Sequence, residues 1–141
     1  RSILLKKIIK TPGIVHPSDI TPQENGTGIN VLSTLKGLEN KGLAAMRDDG
    51  SVTGVYPFSA LPTSHQVKLE NGSSVFAMCA IDSLGIAYEL KQNVTVTSSC
   101  SHCRGHIVIE IINGEVSRVE PGSALALHVT LGDYKDWAST C

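Results

Sequence analysis

The sequence predicts an α+β fold: a small, winged-helix-like helical unit followed by a mainly antiparallel β-sheet with one short helix at its centre. Three observations point to it. Apolar residues recur at helical spacing only near the start of the chain and once in its middle. Short β-branched runs fill most of the remainder. Asp-Gly or Asn-Gly pairs stand between those runs, at Asp49-Gly50, Asn71-Gly72 and Asn113-Gly114, where hairpins turn. With 141 residues, 41% of them hydrophobic and 18% charged, the chain can bury a core as one domain or as a small domain docked on a larger one. The boundary is expected near "ALPTSH", dividing the chain into residues 1–60 and 61–141.

Each element follows from local pattern. Ile3, Leu4, Leu5, Ile8 and Ile9 predict a first helix from Ser2 to Lys10, ended by "TPG". After a segment punctuated by Pro17, Pro22, Gly26 and Gly28, a second helix carries Ile29, Leu32, Leu35 and Leu38 on one face and stops at Gly42. A two-residue hairpin turn at Asp49-Gly50 follows. Strands are expected at Gln66 to Leu69, Ser74 to Met78, Val94 to Ser98, Ile107 to Ile112 and Glu115 to Val119, with a last one from Ala124 to Leu131. "AIDSLGIAYEL" is the central helix.

Charge excludes some functions. A net charge of −1 and four cysteines without a secretion signal fit a cytoplasmic protein with reduced thiols, and give no polyanion-binding signature. The second helix offers only Lys36 and Lys41 as cations beside Glu39, so a packing role suits it better than reading DNA, and nucleic acid is not the expected partner. No apolar run approaches the roughly 18 to 20 residues that span a bilayer, and "RSILLKKIIK" reads as an amphipathic helix.

The thiols are the candidate chemistry. Cys79 falls where a strand gives way to a helix, among backbone N–H donors that favour a thiolate. Asp82 is one turn further on the same face, so the two can share a ligand. The same pair also fits a small core residue followed by a helix cap, and the residues alone leave both open. Cys100 and Cys103 form a CxxC between strands, with His102 and His106 nearby. That is half of a zinc site, to be completed by Cys79, Cys141 or a histidine.

The run "MRDDGSVTGVYPFSALPTSHQVKLENGSSVFAMCAIDSLG", followed by "VTVTSSC" and "VSRVEPGSALAL", resembles the organomercurial lyase (alkylmercury lyase) family from about Met46 onward. The "CAID" tetrad beside the "DDG" hairpin and the "VEP" turn is its most specific element. The resemblance implies a cytoplasmic enzyme of mercury resistance that splits carbon–mercury bonds into a hydrocarbon and Hg²⁺. It requires no cofactor, uses small thiols as co-reactants and passes Hg²⁺ to thiols or to a mercuric reductase. It also implies a catalytic thiolate at Cys79, a proton-handling acid at Asp82, a second catalytic cysteine at Cys141 and a structural cysteine at Cys100, with bound Hg²⁺ shared by Cys79, Cys141 and Asp82. Family members continue beyond the second catalytic cysteine whereas this sequence stops at Cys141, so the core is either continued elsewhere or completed in another way.

The chemistry agrees with the resemblance. Mercury is soft and prefers thiolates; one thiolate captures R–Hg⁺, a second weakens the Hg–C bond, and an acid protonates carbon. Burial among Met78, Ile81 and Leu84 would help Asp82 hold that proton. Two other readings compete: a Zn²⁺ or Cu⁺ protein using Cys100, Cys103 and one of Cys79 or Cys141, and a metal-responsive regulator using the helical beginning on DNA.

Overall fold

In the computed structural model of the protein, which describes residues 1–20 and 30–127, helix α1 spans Ser2–Lys10, α2 Val31–Asn40 and α3 Ala80–Leu90. The strands are β1 (Ala44–Met46), β2 (Val52–Val55), β3 (Phe58–Ser59), β4 (Gln66–Leu69), β5 (Ser74–Ala77), β6 (Val94–Ser99), β7 (His106–Ile112) and β8 (Glu115–Glu120). They form one eight-stranded sheet in the order β1-β2-β3-β5-β4-β6-β7-β8. Every pairing in it is antiparallel.

The core sits under one face of this sheet. The registers Val67↔Val75, Val67↔Val96 and Val94↔Ile111 bring these valines and Ile111 to the same side. There they meet Ile86 and Ala87 of α3, all of them buried. Helix α1 turns Leu4, Leu5 and Ile8 into the same core and packs on β3 and β5. Phe58, fully buried, lies opposite Ala77; burying such a ring contributes about 1.5–3 kcal/mol. Asn30 caps α2 by accepting the Ser33 N–H at 3.0 Å, and α2 rests on β1 through a buried Leu35. Because β3 pairs with β5, one sheet runs across residue 60, and the β1–β2 hairpin is its edge rather than an isolated wing. Ile29, expected on the face of α2, lies outside the described residues.

Two expectations need correction. The turn at Asp49-Gly50 is longer than two residues: Gly50 N–H bonds the Arg47 carbonyl at 2.9 Å and Arg47 N–H bonds the Ser51 carbonyl at 2.9 Å. Gly50 takes the left-handed φ of 82° that closes such a loop, and Asp49 Oδ1 steadies it by accepting the Ser51 N–H at 2.8 Å. Asn71-Gly72 repeats the pattern; only Asn113-Gly114, with φ of 54° and 79°, is the two-residue mirror-image turn.

The second correction concerns the strand expected from Ala124 to Leu131. Residues 124–127 form no strand: Ala124 N–H bonds back to the Pro121 carbonyl at 2.9 Å, and Leu125 and Leu127 are 94% and 87% exposed. Apolar alternation describes a face to be covered, but a strand also needs a neighbour for its backbone groups. Residues 128–131 lie outside the described residues.

Candidate active site

The site is made where β5 hands the chain to α3. Met78 N–H is held by the Pro57 carbonyl at 3.1 Å, and Cys79 follows in extended backbone (φ −145°, ψ 179°) as the N-cap of α3. Its Sγ accepts the Asp82 N–H at 3.5 Å, while the Cys79 N–H and thiol in turn hydrogen-bond the Asp82 carboxyl. Sulfur here fills the place that a hydroxyl usually takes at an N-cap. The cap is Cys79 and not Asp82, and it brings thiol and carboxyl together. A sulfur at this point faces the positive end of the helix, where negative charge is stabilised.

Asp82 is only 4% exposed, and burial raises its pKa above the ordinary carboxylate value. Hydrogen bonds from the Cys79 thiol, the Tyr56 hydroxyl and the Cys79 backbone oppose that rise in part. The balance favours a carboxyl that keeps its proton at higher pH than a surface aspartate. Of its expected apolar neighbours, Met78 and Leu84 are half-buried, whereas Ile81 is 39% exposed. Cys79, beside Asp82, is half-buried.

Tyr56 is the residue that sequence reasoning missed. It sits between β2 and β3, its N–H donating to the Leu43 carbonyl at 3.2 Å and its carbonyl accepting from Arg1 Nη2 at 2.9 Å. The only available signal was its place in "GVYPFS", inside the resembling run, and nothing in that local pattern points to Asp82. Beside the site, Thr53, Ser59, Thr63, His65 and Met78 line a cleft of about 300 Å³ that does not reach Cys79 or Asp82. His65 Nδ1 lies 2.8 Å from Ser98 Oγ, and burial lowers its pKa, favouring the neutral ring.

The other thiols lie apart from this pair. Cys100 is half-buried just after β6 and Cys103 is exposed in the turn before β7. Among the described residues, no group of three or more Cys, His, Asp or Glu side chains could hold a metal ion, so Cys79, Cys100 and Cys103 form no common site. Cys141 lies outside the described residues.

Comparison with known proteins bears on this geometry. The sequence profile of the alkylmercury lyase family (MerB) matches residues 58–141, more than half of the chain. Among solved structures, the crystal structure of the mercury-bound form of MerB2 is similar with a TM-score of 0.62 and 28% identity, over 86% of this chain and 66% of that one. The chain therefore spans just under two thirds of that protein's length. A comparison with curated proteins gave no match.

Proposed function

The chain belongs to the alkylmercury lyase family, and on that premise we propose that it cleaves carbon–mercury bonds by protonolysis, giving a hydrocarbon and Hg²⁺ in mercury detoxification. The observation that carries the reading is the Cys79–Asp82 pair: a thiol at a helix N-terminus hydrogen-bonded to a buried carboxyl whose pKa burial raises.

Cys79 exchanges onto R–Hg⁺ and releases the thiol that delivered it. A second thiolate, Cys141 by resemblance, adds electron density to mercury and lengthens the Hg–C bond. Asp82 then gives its proton to carbon; the bonding pair of Hg–C becomes the pair of the new C–H bond, and Hg²⁺ stays on sulfur with the Asp82 carboxylate beside it. Tyr56 orients that carboxyl and sets its proton affinity. Small thiols remove the product, and a mercuric reductase is the matching acceptor class. Cys100 has a supporting rather than a chemical role in this scheme.

The metal-storage reading asks for three ligands in one place, which the described residues do not bring together. The regulator reading asks for a cationic recognition face, and α2 carries Lys36 as its one cation. A cytoplasmic location belongs to the same proposal; among the described residues no helix is long and apolar enough to cross a membrane. Incubation of the chain with methylmercury and excess thiol tests the function: methane in step with Hg²⁺ supports it, and methylmercury held without methane rejects it.

A further inference from the structure

The CxxC turn takes no part in the chemistry above, yet its two thiols share one tight loop. Cys100 N–H bonds the Gly105 carbonyl at 2.9 Å, and Arg104 N–H bonds the Cys100 carbonyl at 2.9 Å. This closes a tight loop with Arg104 at a left-handed φ of 60°. Inside it the backbone N–H groups of His102 and Cys103, and the Cys103 thiol, converge on Cys100 Sγ. A Cβ on Gly105 would stand 3.2 Å from Cys103 Sγ, so glycine leaves room for that sulfur to lie against the loop. Converging donors, with Arg104 close by, hold the Cys100 thiol below its usual pKa. Cys103 opens to solvent.

We infer that Cys100 and Cys103 form a second soft-cation site, separate from Cys79, that takes one two-coordinate thiophilic ion, Hg²⁺ or Cu⁺, as a dithiolate chelate. The coordination number decides the class. Among the described residues neither His102 nor His106 joins the two sulfurs in a three-ligand group. Tetrahedral Zn²⁺ is left short of protein ligands, whereas a linear d¹⁰ ion is satisfied by two thiolates. Loading is ligand exchange with no oxidant or reductant: Hg(SR)₂ and two cysteine thiols give the Cys100–Hg–Cys103 chelate and two RSH. Two Hg–S bonds break, two form, and each cysteine proton leaves on a departing thiol. The inference rests on no step of the lyase reaction.

The test uses the full chain with Cys79→Ser and Cys141→Ser, which leaves Cys100 and Cys103 as its only thiols. It is titrated with Hg²⁺ against excess N-acetylcysteine, and with Cu⁺ against a Cu⁺ chelator, and read by intact mass and near-ultraviolet sulfur-to-metal absorption. One ion per chain is expected in at least one titration, with no retained Zn²⁺. Adding Cys103→Ser should weaken retention by at least about 10²-fold, the loss of one arm of a chelate. No retained ion of either kind, retention indifferent to Cys103→Ser, or stoichiometric Zn²⁺ would each overturn the inference. If the double variant does not fold, Cys103→Ser in the otherwise unchanged chain should lower total Hg²⁺ uptake by one per chain; unchanged uptake then rejects the site.

Discussion

Replacing Tyr56 with phenylalanine separates the tuning of the acid from the acid itself. The hydroxyl is one of three groups that hydrogen-bond the Asp82 carboxyl, and the other two, the thiol and N–H of Cys79, remain in the variant. A hydrogen bond to a charged group contributes about 1.5–3 kcal/mol. Tyr56 is 41% exposed, so water replaces part of what is lost and about 1 kcal/mol is the reasonable net value. Because the tyrosine stabilises the carboxylate, its removal favours the protonated acid. The alkaline limb of the single-turnover cleavage profile should therefore move to higher pH by about 0.7 units. Above that limb the variant would be faster than the parent, by about fivefold, with its acid plateau and its capture of organomercurial little changed. Single-turnover hydrocarbon release across pH reads this directly. A limb that stays in place or moves to lower pH would refute the coupling of Tyr56 to Asp82, and a plateau lowered by 10²-fold or more would make Tyr56 the proton donor instead.

Further outcomes follow from the same geometry. Cys79→Ser should abolish Hg–C cleavage with a melting temperature near the parent's, because serine caps a helix well but lacks sulfur's affinity for mercury; retained turnover would move the site elsewhere. Gly54→Ala would place a Cβ 3.0 Å from Met78 Cε and 3.1 Å from the Phe58 carbonyl, and since the carbonyl cannot yield as a side chain can, about 1–3 kcal/mol of stability should be lost in denaturant unfolding. The raised pKa of Asp82 means the folded state binds its proton more tightly than the unfolded chain does. That contribution to stability is full below the ordinary value of 3.8 and lost as pH rises through the folded value, so Asp82→Asn should flatten this part of the stability profile. Asp49, whose pKa Ser51 lowers, acts in the opposite sense, losing its contribution as pH falls through its folded value.

What the sequence made legible was local. The central helix and the places of the three glycine turns depend on neighbours a few residues apart, and Cys79 meets Asp82 because an N-cap and the third helical residue are adjacent. Pairing order was not legible. Periodicity assigns Phe58 and Ala77 to buried faces but does not say that β3 lies beside β5, and it is that neighbouring which carries Tyr56 toward Asp82. The alternation "ALALHVTL" misled at residues 124–127 for a related reason: side-chain pattern was present and a hydrogen-bonding partner was not.

The most direct measurement is single-turnover hydrocarbon release from Asp82→Asn loaded with methylmercury, with loading on Cys79 verified by intact mass. Asparagine preserves size and can still accept hydrogen bonds, from Tyr56 and the Cys79 N–H, but it has no acidic proton to give. The account predicts normal loading and methane release slower by about 10²- to 10⁴-fold, the usual loss when a general acid is removed. Release at the parent rate from the fully loaded variant would contradict it.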